Sequence, residues 1–211
     1  MKGIEHLKDP QYSEEFLNLI STDEKVKELL EGSCVFSGDF NRRDSLRDWE
    51  RGRKFIAQAI SKDGTILDYG SANGFLLRCL QEWSKLRLNP YGVENDLERL
   101  AQAKALFPQL ASHFVTPDEI KRQDFPKSFD QVYWAVGDNV NFREEEFQSW
   151  LAEVKALVAE GGRFILGFYD TKEENRKKIK NLEDLGIRFS NVLENPNGGN
   201  EIIAWIDTQD W

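Results

Sequence analysis

Two acids and one run of small residues carry the chemistry this sequence offers. Asp68 closes the apolar run Thr65-Ile66-Leu67, and Gly70-Ser71-Ala72-Asn73-Gly74 follows at once. Such a stretch turns sharply and lets another molecule touch the backbone. Phe75, Leu76, Leu77, Leu80 and Trp83 then recur at helical spacing. Strand, small-residue turn and helix together open a nucleotide-binding βαβ unit, with the helix N-terminus aimed at the ligand. Glu94 ends a second apolar run, Tyr91-Gly92-Val93. A carboxylate there can accept from both hydroxyls of a ribose diol. The plainer alternatives are a tight turn that packs a helix on a sheet and a glutamate at a solvated strand end.

The stretch Asp68-Tyr-Gly70-Ser-Ala72-Asn-Gly74 resembles the D/E-x-G-x-G-x-G signature of the S-adenosylmethionine-dependent methyltransferases with a seven-stranded Rossmann-like sheet; Ala72 replaces the middle glycine. The resemblance spans roughly residues 60–207 and implies S-adenosyl-L-methionine as cofactor. It places Asp68, Gly70, Ser71, Ala72 and Gly74 against the methionine end, and Glu94 with Asn95 at the ribose. Asp118 lies eleven residues before Phe129, the spacing the family keeps for an adenine-contacting acid, with Glu119 beside it. A helix start at Thr116-Pro117-Asp118-Glu119 explains the same residues without a ligand.

The elements that position these residues follow from periodicity. Residues 13–32 read as two short helices, the second capped by Ser21 with Glu24, and 44–60 as a third helix. Strands are expected at 65–67, 91–94, 113–115 and 129–136. Phe147, Trp150, Leu151, Val154, Leu157 and Val158 share one helical face, Gly161-Gly162 ends that helix, and 163–168 is the fifth strand. Residues 171–185 form a charged helix with a solvated face. The runs 187–193 and 201–206 are joined by Glu194-Asn-Pro-Asn-Gly-Gly-Asn200, too short for a helix, and so pair antiparallel. The fold class is α/β, a three-layer Rossmann-like methyltransferase sheet, mostly parallel with an antiparallel C-terminal hairpin strand. Residues 1–60 form an N-terminal helical cap and 61–211 the cofactor-binding domain. Strand four ends at Gly137-Asp138-Asn139, which puts Trp134, Asp138 and Asn139 where acceptor and sulfonium should meet. Phe36, Phe40, Trp49 and Tyr169 are further pocket candidates by position, and His113 reads as a packing residue.

Composition narrows the partners. A net charge of −9 argues against a nucleic-acid partner, because phosphate neutralisation needs a basic face. Arg42, Arg43, Arg47, Arg51, Arg53 and Lys54 are interleaved with Asp44, Asp48 and Glu50, as on a solvated helix with i,i+4 pairs. Cys34 and Cys79, with two histidines, lack metal-site spacing and suit a reducing cytoplasm. No run is long enough to span a membrane, and no secretion leader is apparent. The expected activity is methyl transfer to a small-molecule or protein side-chain nucleophile. A non-catalytic cofactor-binding protein and an NAD(P)-binding oxidoreductase are the alternatives, and the oligomeric state is open.

Overall fold

A computed structural model describes residues 12–33, 45–137 and 139–210. The sheet has seven strands: β1 (Gly64–Tyr69), β2 (Leu88–Val93), β3 (Phe114–Val115), β4 (Phe129–Val136), β5 (Val158–Phe168), β6 (Asn191–Glu194) and β7 (Ile202–Asp207). Their order across the sheet is β3-β2-β1-β4-β5-β7-β6. β1 to β5 pair parallel, whereas β7 runs antiparallel to both β5 and β6. The expected hairpin with one reversed strand is present. The chain leaves β1 toward β2 and β3, then returns to lay β4 on the other side of β1. The switch point of the sheet therefore lies between β1 and β4, where α/β sheets bind their ligands.

The helices are α1 (Glu14–Leu19), α2 (Asp23–Gly32), α3 (Ser45–Arg53), α4 (Phe75–Ser84), α5 (Leu97–Leu106), α6 (Glu145–Lys155) and α7 (Lys172–Asp184). Strand side chains alternate between faces, and the two buried clusters follow that alternation. Ile66, Tyr133, Ile165, Ile203 and Trp205 face α1 to α5, packing on Phe16, Leu30, Trp49 and Phe75. Leu67, Val132, Trp134, Phe164 and Leu166 face α6 and α7. Asp68, two residues after Ile66, must therefore point toward the layer that contains α3 and α4.

Several expectations change in detail. Thr22, not Ser21, caps α2, its Oγ1 accepting from the Lys25 amide at 3.2 Å. The 44–60 helix is α3 followed by a tighter 3₁₀ segment, Lys54–Ala59. Gly161-Gly162 does not stop a helix: α6 has already ended at Lys155, and the glycines lie inside β5. While β4 advances from Phe129 to Gln131, its partner advances from Val158 to Arg163. That excursion needs Gly161 at φ +68, and a Cβ on Gly162 would sit 2.7 Å from the Ala159 carbonyl. α7 is not wholly solvated, since Asn175, Lys178, Ile179 and Leu182 are buried. Among the described residues the cations of α3 form none of the expected i,i+4 pairs: Glu50 accepts from the Tyr12 hydroxyl, and Arg53 turns inward toward Glu201. Among the described residues no helix is long and apolar enough to cross a membrane.

Candidate functional site

The bend between β1 and α4 is held by the neighbouring strand. The amides of Gly70 and Ser71 both donate to the Val93 carbonyl, at 2.8 and 2.9 Å. The Ala72 amide donates to Glu94 Oε2 at 2.8 Å, while Glu94 Oε1 accepts from the Asp96 amide at 2.8 Å. Glu94 thus ties the bend to the start of α5, whose N-cap is Asp96. Gly70, Ala72 and Gly74 all have positive φ, at 88°, 48° and 75°. Ala72 thus sits in a left-handed conformation that favours glycine, and it holds that strain at the point where a ligand would approach. Gly92 stands beside Asp68 in register. A Cβ there would lie 2.5 Å from Ser71 Oγ, so the bend closes down only because position 92 has no side chain.

Asp68 is 2% exposed, and its Oδ1 has no hydrogen-bond partner. Burial, and then the charge of Glu94, hold its carboxyl well above the usual carboxylate range. Ser71 Oγ is also buried and unpartnered. Opposite stand Trp49 and Arg53 from α3, Tyr133 from β4, and Tyr169, just past β5. These residues and the bend enclose a void of about 40 Å³. The Arg53 guanidinium lies 3.8 Å from the Tyr169 ring centroid and 5.5 Å from that of Trp49. The hydroxyls of Tyr133 and Tyr169 hydrogen-bond to each other, and the absence of a side chain at Gly167 makes room for them. Burial raises both phenols above their ordinary range, so they remain protonated.

No protein-family model matches the sequence, and no curated protein matches it. Solved structures do. A methyltransferase dependent on S-adenosylmethionine from Aquifex aeolicus aligns with a TM-score of 0.51 and 20% identity, over 87% of this chain and 97% of that one. The mitomycin 7-O-methyltransferase MmcR aligns at 0.58 and 17%, over 91% and 60%. Aeropyrum pernix fibrillarin, crystallised with natively bound S-adenosyl-L-methionine, aligns at 0.52 and 15%, over 74% and 76%. The chain has the fold of the S-adenosylmethionine-dependent methyltransferases.

Within the methyltransferase fold the sequence-predicted residues divide. Asp68, Gly70, Ser71, Ala72, Gly74 and Glu94 converge on the bend. Asn95 is exposed beside them, next to Leu97, which is 69% exposed. Asp118 is exposed on the 3₁₀ turn Pro117–Lys121. Glu119 is already engaged: its Oε2 accepts from the Thr116 amide at 2.9 Å, which holds its carboxyl below the usual range. It caps a turn. Trp134 is 2% exposed and points the other way, edge-on to Phe142 and tilted on Trp150. It does not share the void, because period-2 alternation puts its neighbour Tyr133 on the Asp68 face instead. Asn139 is exposed in the loop after β4, and Asp138 lies outside the described residues, as do Phe36 and Phe40. His113 is a packing residue, stacked 4.0 Å from Tyr91, with Nδ1 3.0 Å from the Pro90 carbonyl.

Trp49 and Tyr169 do line the void, but Arg53 and Tyr133 were not foreseen. Arg53 is one of six cations in a run, and its contacts with Tyr169 and Glu201, both distant in the chain, set it apart. Tyr133 could be assigned to the Asp68 face only once β4 was known to pair with Asp68 at that residue.

Proposed function

We propose that the chain is an S-adenosylmethionine-dependent methyltransferase that modifies a small molecule or a protein side chain. The observation that carries this reading is the meeting of Asp68 and Glu94 at one glycine-lined bend, with a buried oxygen of Asp68 left unpaired. The cofactor's charges suit that donor set: a cationic ammonium for Asp68 and two vicinal hydroxyls for the lone pairs that Glu94 has not given to amides. Asn95, Leu97 and Asp118 form the exposed shelf onto which the adenine extends. When bound, the cofactor supplies a methyl group on a sulfonium, already a good leaving group.

The chain's own residues bind, orient and exclude water. Glu94 and Asp68 fix the two ends of the nucleoside amino acid, and most of the rate enhancement comes from that positioning. Trp49, Tyr133 and Tyr169 wall the site from solvent. The protonated phenols of Tyr133 and Tyr169 act as hydrogen-bond donors and do not remove a proton. A void of about 40 Å³ is far below the several hundred Å³ of a typical cofactor pocket, so binding requires side chains around it to move aside. In this reading residues 1–60 cap the acceptor. The compartment is the cytoplasm, where Cys79, a buried free thiol, stays reduced.

Isothermal titration calorimetry tests the first step. S-adenosylmethionine should bind at micromolar affinity, and folded Glu94→Ala protein should lose about 100-fold or more, since a charged acceptor of several hydrogen bonds is gone. Binding of NADH in place of S-adenosylmethionine would overturn the reading. Transfer of an isotopically labelled methyl to a component of cell extract, followed by mass spectrometry, would identify the acceptor; cofactor binding with no labelled product would turn the reading toward a non-catalytic protein.

A further inference from the structure

The guanidinium of Arg53 is a buried cation with most of its valence unspent. Its side chain is 5% exposed, and its one hydrogen bond among the described residues runs from Nη1 to the Gly52 carbonyl at 3.0 Å. A guanidinium has five N–H donors. The carboxylate beside it, Glu201, is 3.6 Å away, beyond good hydrogen-bond distance, and 23% exposed on the side chain. Burying a charge with so few partners is costly unless an opposite charge arrives. Asp68, which lines the same void, has the converse problem, a buried carboxyl oxygen with no donor. No ion pair joins Arg53 to Asp68, so the two do not cancel each other. A buried acid and a buried base that border one void without touching match an α-amino acid head, which carries one charge of each sign.

We propose that Arg53 receives the α-carboxylate of the bound cofactor while Asp68 faces its ammonium. This rests on the methyltransferase reading and extends it to a residue on α3, outside the β1–α4 motif. Tyr169 and Trp49 stack on the guanidinium and fix its plane, so its fork is oriented before a carboxylate arrives. Glu201 holds the place in the meantime, and the incoming carboxylate displaces it. α3 keeps its position through that exchange, because Asn195 Nδ2 and Asn197 Nδ2 donate to the Arg51 carbonyl at 2.9 and 3.1 Å.

A pair of ligands tests this on the full chain by calorimetry: S-adenosylmethionine and its decarboxylated form, which keeps the sulfonium and ammonium and lacks only the carboxylate. Wild-type protein should prefer the intact cofactor by about 10- to 100-fold, the range of a charge-assisted hydrogen-bond pair. In Arg53→Gln, checked for folding by thermal melt, that preference should collapse to about one while affinity for the decarboxylated form stays level, as a thermodynamic cycle requires. Glu201→Gln removes the competitor and should tighten S-adenosylmethionine by a few-fold, with no effect on the decarboxylated form. Equal losses for both ligands in Arg53→Gln, or a wild-type protein that binds the two alike, would overturn the assignment. The wild-type comparison decides the matter even if Arg53→Gln fails to fold. Binding of neither ligand by wild-type protein would instead bring down the methyltransferase reading itself.

Discussion

On the sheet face beneath α6 and α7, Lys178 Nζ donates to Asp170 at 2.7 Å and to the Gly137 carbonyl, and Asn175 exchanges hydrogen bonds with the Asp170 backbone and donates to the Asn200 carbonyl. On the face beneath α3 and α4, Asp68 Oδ1 and Ser71 Oγ are buried with no partner, and Arg53 makes one hydrogen bond. Both faces bury polar groups. The Lys178 and Asn175 cluster completes its hydrogen bonds within the protein and contributes to folding. The groups around the void leave theirs open where a ligand can complete them. Unsatisfied burial, more than burial of polarity as such, separates the two clusters.

Substitutions on the two faces should therefore shift stability in opposite directions. Trp134→Ala, on the satisfied face, should lower the free energy of unfolding by about 3–5 kcal/mol in urea titrations. A value near zero would mean Trp134 is not the packed core residue it is here. Lys178→Met should cost about 2–3 kcal/mol, the usual penalty for orphaning a buried partner, reduced because the Asp170 side chain is 21% exposed. Asp68→Asn should do the reverse, raising stability at pH 7 by about 1–3 kcal/mol as an unpaired buried acid is removed, while weakening S-adenosylmethionine binding at least tenfold. The pH dependence follows in sign. The folded carboxyl titrates well above its unfolded value of about 3.9, so its favourable contribution is complete below that pH and is lost as pH rises through the folded pKa. Melting temperature measured against pH should fall over that window for wild type and be flatter for Asp68→Asn. Ser71→Ala should be the smallest change, within about 0.5 kcal/mol, since its hydroxyl has no partner to lose. A loss of 2 kcal/mol or more, on the scale of an orphaned buried hydrogen-bond partner, would show that the hydroxyl is bonded after all.

The parts of this architecture that local pattern determines were legible. An apolar run, a small-residue turn and helical spacing located β1, the bend and α4, and an acid after a second apolar run located Glu94. The reversed last strand followed from a connector too short for a crossover. Pairing-dependent features were not legible. The end of β4 points to Trp134 as a site residue, whereas its direction depends on the register that puts Tyr133 beside Asp68. Gly161-Gly162 looked like a helix stop because nothing local reveals that Val158 already pairs with Phe129. Glu119 looked like an adenine contact and is a turn cap, since the same residue type serves both. Arg53 differs from the cations around it only through Tyr169 and Glu201, more than a hundred positions away in the chain.

The tether between α3 and the β6–β7 connector also bears on how the protein is made. Asn195 reaches the Arg51 carbonyl across 144 positions, and β7 slots between β5 and β6 only after both exist. A nascent chain leaving the ribosome exposes its first helices long before their anchor has been translated, so the tether on α3 forms only when synthesis is almost complete. Until then α3 can rest on α2 and α4 but lacks that tie, and that interval is when a chaperone would have most to protect.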